Sequence, residues 1–258
     1  MNQFLIIPDR KNIAASCKLA DQYQLGFEFN DFFSPAVLDN QPLCRDIITQ
    51  YKSSPLPPFL TSHGDFFDVL IFSEDQEIRR ISEMRIRQSI EVALQIGAGA
   101  VILHTNHNPF LKAENYLNNW LDKNEDFFSM ILSEYPDINI YMENMFDDSP
   151  DLLRKLAERL SSYANFGVCY DYAHAAISRV PNRVWTEALA PFIRHMHIND
   201  NDLAADLHFP VGSGHINWDE FMQARESSFP NASILIETTS IENQVRSIEF
   251  LKTLGVFS

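Results

Sequence analysis

The sequence predicts a single (β/α)8 barrel of the α/β class that spans residues 1–258. The length is that of one such barrel, typically about 250 residues. Eight short apolar runs alternate with helix-like stretches, and several runs are rich in Val, Ile and Phe without clean alternation. That pattern is typical of parallel strands covered on both faces. No low-complexity linker or internal repeat divides the chain, so one barrel domain is expected.

The elements of the predicted barrel follow one another along the chain. The predicted strands are Phe4–Ile7, Leu25–Phe29, Pro58–Ser62, Ala100–His104, Ile138–Glu143, Phe166–Tyr170, Ile193–His197 and Ser233–Glu237. The helix-like stretches include Ser73–Leu94, Leu111–Glu134, Pro150–Ser162, Trp218–Ser227 and Ile241–Leu254. Ser73 is predicted to cap the first of these, and Gly97 to end it. The weakest predicted helix lies between Arg10 and Tyr23, where the apolar pattern is only mildly amphipathic.

Composition and charge limit the partners of the chain. Its net charge is −15, because 20 basic residues face 35 acidic ones. Nucleic-acid binding needs concentrated Lys and Arg, so a nucleic-acid partner is not expected. Cys17, Cys44 and Cys169 are too few and too scattered for a disulfide framework. The chain shows no signal peptide and no run of about 20 apolar residues that could span a membrane, which favours a cytoplasmic protein.

Nine residues able to bind a metal ion lie at or just after the predicted strands, most of them where a strand ends. Imidazole and carboxylate groups together suit zinc, manganese and similar divalent ions. In a (β/α)8 barrel the strand ends converge on one face, where catalytic groups collect. The pattern therefore predicts a metal cluster in the mouth of the barrel. The nine are His63, His104, Glu143, Asp171, His174, His197, Asp206, His208 and Glu237.

Each of these signals has a structural alternative when it is taken alone. A single His at a strand end is more often a hydrogen-bonded polar residue than a metal ligand. Glu143 could form an ion pair with Arg or Lys, because a carboxylate that ends an apolar strand is costly to bury without a partner. Asp171 or His174 could cap a helix. Strand alternation puts His195 on the same face as His197 but deeper, where it could serve packing or support the site.

The segment after the seventh predicted strand adds two candidates. Asp206 and His208 are two residues apart in an extended loop, so their side chains can point the same way and chelate one ion. Gly212 and Gly214 allow the tight backbone path that brings this loop over the strand ends.

With these residues in place, the chain resembles the xylose-isomerase-like TIM-barrel superfamily, which includes endonuclease IV and many sugar-phosphate isomerases and epimerases. The resemblance runs from about Leu25 to the C-terminus. Its early part is carried by His63-Gly64-x-Phe66, by the segment from Ser73 to Arg79, and by 98–104. Its later part is carried by Glu143-Asn144, Asp171-x-x-His174, His197-x-Asn199-Asp200, Asp206-x-His208-x-x-x-Gly212-x-Gly214 and Glu237.

The resemblance separates two branches of this superfamily. Ketose epimerases have a four-residue metal set that matches Glu143, Asp171, His197 and Glu237, and they usually carry Arg four residues before the first loop glycine. Here that position is His208, as in the three-metal set of endonuclease IV. The resemblance therefore implies a metal-dependent phosphoester hydrolase that acts on a small, non-DNA substrate. The alternative is a sugar or sugar-phosphate isomerase or epimerase that uses the same site.

The resemblance also implies a division of the ligands among two to three divalent ions, most readily zinc or manganese. One ion would be held by His63, His104 and Glu143. A second would be held by Glu143, Asp171, His197 and Glu237, and a third by His174, Asp206 and His208. Glu143, Glu237 and His174 are the predicted catalytic residues. In a hydrolase a metal-bound hydroxide would attack phosphorus, whereas in an isomerase Glu143 or Glu237 would move protons.

Overall fold

A computed structural model describes residues 3–257 of the chain. Eight parallel strands close into a barrel in which sequence neighbours pair and the last strand pairs with the first. The predicted (β/α)8 fold is therefore confirmed. The strands are β1 (Phe4–Ile6), β2 (Gly26–Phe29), β3 (Leu60–His63), β4 (Ala100–His104), β5 (Asn139–Glu143), β6 (Phe166–Asp171), β7 (Ile193–Ile198) and β8 (Ser233–Ile236).

Within the described residues, ten α-helices surround the barrel, and a one-turn 3-10 helix (Arg10–Asn12) precedes the first of them. None of these helices is long and apolar enough to cross a membrane. The helices are α1 (Ile13–Tyr23), α2 (Pro35–Leu38), α3 (Gln41–Lys52), α4 (Gln76–Ile96), α5 (Glu114–Glu134), α6 (Asp151–Arg159), α7 (Tyr172–Ile177), α8 (Asn182–Leu189), α9 (Trp218–Ser228) and α10 (Ile241–Thr253).

The boundaries of α4 test the two predicted caps. Gly97 ends the helix with a φ of 88°, as predicted, because glycine enters this left-handed region without steric cost. The predicted cap at Ser73 is wrong. Asp75 caps the helix instead, since its carboxylate accepts hydrogen bonds from the backbone N–H groups of Glu77 and Ile78.

The interior of the barrel is polar along part of its depth. Leu5, Ile7 and Leu235 form a small apolar cluster there. Glu28 on β2 contacts His195 on β7, so these two fully buried side chains meet across the barrel. The larger apolar core lies between the strands and the helices. Carboxylate and imidazole groups thus enter the barrel interior, where water cannot solvate their charge.

The loop between β7 and α9 is folded around the buried side chain of Asp200. Its carboxylate accepts hydrogen bonds from the backbone N–H groups of Gly212 (2.9 Å) and Ile216 (3.1 Å) and from the indole N–H of Trp218 (2.8 Å). A Cβ atom at Gly214 would lie 2.3 Å from the carbonyl oxygen of Asn201, so only glycine fits there. This packing sets the path of the loop that carries Asp206 and His208.

Candidate metal centre

The structure brings all nine predicted ligands to the carboxyl-end face of the barrel. His63, His104, Glu143 and Asp171 are the last residues of β3, β4, β5 and β6. The other five lie in β7, in α7 or in the segments that follow β7 and β8: they are His174, His197, Asp206, His208 and Glu237. Each of the nine lies within 4 Å of another member through a carboxylate and imidazole pair.

The first group consists of His63, His104 and Glu143, whose ligand atoms could hold one ion. Oε2 of Glu143 lies 3.2 Å from Nε2 of His104 and 3.6 Å from Nε2 of His63. Two atoms bound to one tetrahedral zinc ion at about 2.0–2.1 Å are about 3.3 Å apart. The spacing therefore fits a shared ion. The ring of Phe66 packs against both His63 and His104 and shields the group from water.

The second group joins Glu143, Asp171 and His197, and Glu237 lies beside it. Nδ1 of His197 is 3.2 Å from Oε1 of Glu143 and 3.7 Å from Oε1 of Glu237. Asp171 does cap α7, because its Oδ1 accepts a hydrogen bond from the backbone N–H of His174. Its Oδ2 has no hydrogen-bond partner, so one carboxylate can serve both the cap and an ion.

The third group consists of His174, Asp206 and His208. Oδ2 of Asp206 lies 3.4 Å from Nε2 of His174 and 3.1 Å from Nε2 of His208. These distances again match the edge of a zinc coordination tetrahedron. The group is less enclosed than the other two, because the side chain of His208 is 36% exposed. It therefore lies nearest to an incoming substrate.

Backbone contacts orient three of the imidazole rings. Nδ1 of His63 lies 2.9 Å from the carbonyl oxygen of Gly64, and Nδ1 of His174 lies 2.9 Å from that of Asn144. Nδ1 of His208 lies 3.2 Å from the carbonyl oxygen of Glu237. Because a carbonyl only accepts, Nδ1 carries the hydrogen in each ring. In the neutral ring Nε2 then has a free lone pair, which can bind a metal ion placed between the ring and the carboxylates, as in metal-bound histidines.

Glu143 is the carboxylate shared by the first and second groups. Both of its oxygen atoms are buried and lack a hydrogen-bond partner, an arrangement that costs free energy unless a cation compensates the charge. The alternative of an ion pair with Arg or Lys is wrong, because Glu143 contacts only histidines within the described residues. The residues present therefore fit a divalent ion, and metal binding by the nine residues stays a prediction.

The electrostatics of the centre follow from burial and from close opposite charges. Burial would raise the pKa of Glu143, but His197 and His104 hold it well below its ordinary value. Burial raises the pKa of Asp171 to about 7. Burial would lower the pKa of His208, yet the carboxylates of Glu237 and Asp206 raise it to about 10. Without a metal ion, protons on these side chains thus supply the positive charge that a metal ion would supply.

Those pKa shifts predict that metal binding releases protons. At pH 6 both Asp171 and His208 hold a proton in the metal-free protein, and a metal ion must displace it. Affinity should therefore rise with pH, by up to about tenfold per pH unit for each proton released. Competition against a chromophoric chelator between about pH 6 and 8, at constant ionic strength, measures this slope. An affinity that stays flat over that range would contradict the assignment of these two residues.

Glu28, a fully buried carboxylate below the second group, was not predicted from the sequence. Its Oε1 lies 3.0 Å from Nε2 of His197, and its Oε2 lies 3.0 Å from Nε2 of His195. Oε2 also accepts a hydrogen bond from the hydroxyl of Thr61. The signal was present, because Glu28 is the one charged residue of the apolar strand β2. The deeper position predicted for His195 agrees with its contact to Glu28.

The site and the fold together define a class of protein: a (β/α)8 barrel with a cluster of histidines and carboxylates able to hold divalent ions in its mouth. The family model described as "Xylose isomerase-like TIM barrel" matches residues 21–254. The chain belongs to that family.

Two relatives match part of this chain, and one of them is named for an activity. An uncharacterized protein of Methanocaldococcus jannaschii is 29% identical over 201 residues, which are 74% of this chain and 68% of that protein. Fructoselysine 3-epimerase of Shigella flexneri is 28% identical over 160 residues, which are 58% of this chain and 55% of the epimerase.

Two solved structures share the fold along almost the whole chain. A Thermus thermophilus protein soaked with ZnCl2 has a TM-score of 0.79 and 22% identity, over 98% of both chains. A D-tagatose 3-epimerase-like protein has a TM-score of 0.77 and 23% identity, over 98% of this chain and 96% of that one. At these identities the likeness concerns the fold.

Proposed function

We propose that the protein is a divalent-metal-dependent epimerase or isomerase of a ketose-like sugar. The observation that carries this proposal is the second group, in which two carboxylates, Glu143 and Glu237, approach the same nitrogen of His197. Two carboxylates beside one metal position are the parts that proton transfer at a carbon next to a carbonyl requires. The epimerase among the relatives supports the same choice.

In this mechanism a carboxylate takes the proton from the carbon beside the ketose carbonyl. The C–H electron pair moves toward the carbonyl and gives an enediolate, and the second carboxyl group returns a proton to the opposite face. A divalent ion held by this group would polarise the carbonyl and hydroxyl oxygens of the sugar. Asn199 steadies Glu237, because its amide nitrogen donates a hydrogen bond to Oε2 of Glu237 (3.2 Å). Burial of the group keeps bulk water away from the enediolate.

The third group favours a second candidate function. His174, Asp206 and His208 form a ligand set of their own, and the sequence resemblance assigns such a third ion to phosphoester hydrolysis. The resemblance seen in the sequence favoured the hydrolase, with the epimerase or isomerase as the alternative. The order is reversed here, because a fructoselysine 3-epimerase is among the relatives and a D-tagatose 3-epimerase-like protein is among the similar folds. A hydrolase would use the third ion to neutralise charge on the transferring phosphoryl group.

The proposed function is tested by the exchange of carbon-bound protons with solvent. Protein purified without chelator should contain two to three divalent ions per chain by elemental analysis, as the three groups predict. Reconstituted protein is then incubated in D2O with D-fructose, D-tagatose and their phosphates, and deuterium at the carbon beside the carbonyl is followed by NMR. Incorporation that requires metal supports the proposal. Cleavage of a phosphodiester without any exchange would overturn it in favour of the hydrolase.

Removal of the third group separates the two functions further. In an epimerase, Asp206 and His208 would contact substrate hydroxyl groups, so the double variant Asp206→Asn/His208→Asn should keep measurable exchange with a raised KM. In a hydrolase the same change should lower phosphodiesterase activity by at least about a hundredfold, because the third ion is lost. His215→Asn, an exposed His outside the centre, is the matched control. Both activities are measured on the same metal-loaded preparations.

A further inference from the structure

A cleft of about 670 Å³ opens beside His174, outside the three ligand groups. Phe146 forms the boundary between the two, because its ring packs against the ring of His174 with the centroids 5.5 Å apart. Phe110 on the loop before α5 and Val180 after α7 form other walls. Phe110 is 90% exposed, so a molecule in the cleft could cover it. His174 of the third group lines the cleft, so the cleft opens directly beside the metal centre.

Most polar groups of the cleft already have partners within the protein. The hydroxyl of Ser178 donates to the carbonyl oxygen of Ala175 and accepts from the indole N–H of Trp185. Asp147 is engaged by Thr105 and His107, and Asp148 forms an ion pair with Lys112. Few polar groups thus remain for sugar hydroxyls. An apolar group gains more from this cleft, because its binding removes apolar surface such as that of Phe110 from water.

Arg179 is the exception among these polar groups. It is exposed at the edge of the cleft and forms no ion pair with any residue from 3 to 257. Its backbone has a φ of 67°, in the left-handed region that few non-glycine residues adopt. The net charge of the chain is −15, so the unpaired positive charge of Arg179 stands out against an overall negative protein. Its guanidinium suits a carboxylate or phosphate.

We propose that this cleft holds the non-reacting end of the substrate, an apolar group that ends in a carboxylate or phosphate paired with Arg179. The proposal rests on the proposed function, in which the sugar itself lies at the metal centre. The substrate would then be a ketose that carries an apolar substituent with an anionic end, rather than a free sugar.

The test uses four synthetic probes on metal-loaded protein. These are D-fructose and three fructosyl derivatives of a six-carbon amine chain that ends in a carboxylate, a phosphate or a neutral amide. Binding is measured by calorimetry and proton exchange by NMR. The wild type should bind at least one anionic probe at least about tenfold more tightly than the amide probe. Arg179→Gln should remove that preference and leave the amide probe unchanged. Phe110→Ser should weaken all three chain probes but not fructose.

Arg183→Gln is the matched control and should keep the preference, because Arg183 is an exposed residue of α8 that pairs with Glu187. Comparison of the carboxylate and phosphate probes identifies which anion the site takes. Equal binding of all three chain probes, or a preference that survives Arg179→Gln, would overturn the proposal. Proton exchange on fructose without a preference for an anionic probe would overturn the proposal for the cleft but not the proposed function. Anion-dependent binding without exchange on any probe supports the cleft and contradicts the proposed function.

Discussion

We expect Glu143→Gln to abolish turnover, with a loss of at least about a thousandfold, and to lower the metal content of the protein. Glutamine keeps the shape of the side chain but removes the charge between His104, His63 and His197. Its amide nitrogen has no lone pair for an ion, and its one uncharged oxygen can serve only one group, so the two groups no longer share a charged ligand. Glu143→Ala should fail in the same way. Turnover and elemental analysis on the same samples measure the two effects.

The matched control for this prediction is Glu77→Gln. Glu77 lies exposed on α4, where it pairs with Arg80, and its replacement should leave both metal content and turnover unchanged. Circular dichroism shows whether the Glu143 variants keep the fold. Full turnover with a full complement of metal in Glu143→Gln would contradict the shared-ligand assignment. It would leave Glu143 as the partner of protonated histidines.

The second large effect is expected for Glu28→Gln, although Glu28 lies below the proposed ions. Its Oε1 is 3.0 Å from Nε2 of His197, whose other nitrogen faces Glu143 and Glu237. The carboxylate favours a hydrogen on Nε2, so the lone pair of Nδ1 is available to an ion. Loss of the charge should lower metal affinity about 10- to 100-fold, the usual effect of removing a partner of a metal-bound histidine.

Excess metal ion distinguishes the two variants. Activity of Glu28→Gln should return toward the wild-type value as zinc or manganese is added, because every proposed ligand is still present. Glu143→Gln should stay inactive at the same concentrations. Glu28→Ala is less informative, since it leaves two buried histidines without their partner and should unfold more easily by about 3–5 kcal/mol. An unchanged metal dissociation constant in Glu28→Gln, with Glu91→Gln on α4 as the control, would remove Glu28 from the site.

The sequence also determined most of the secondary structure, and its failures have local causes. All eight strands were predicted to within two residues at each end. The helices α2, α3, α7 and α8 were not named from the sequence. Of these, α2, α7 and α8 are too short to show a helical repeat of apolar residues. The cap of α4 was placed at Ser73 because Ser and Asp75 are both favoured caps. The backbone geometry at Asp75 decided between them. Assignment of the whole chain to one domain and a cytoplasmic location stay predictions.

The sequence by itself determined that the candidate ligands would face the mouth of a barrel. Strand ends are a local property, because the residue at which a short apolar run stops can be identified in the sequence itself. Parallel strands of a barrel then bring those ends to one face. The division of the ligands into three groups was implied by the resemblance, and the ligand atoms of the structure fall into the same groups. Only the tertiary structure decided the distances within each group, and that Glu28 contacts His195 and His197 from the opposite side of the barrel. Such contacts depend on strand register and on closure of β8 onto β1, which join residues as far apart as 167 positions and leave no periodic trace in the sequence.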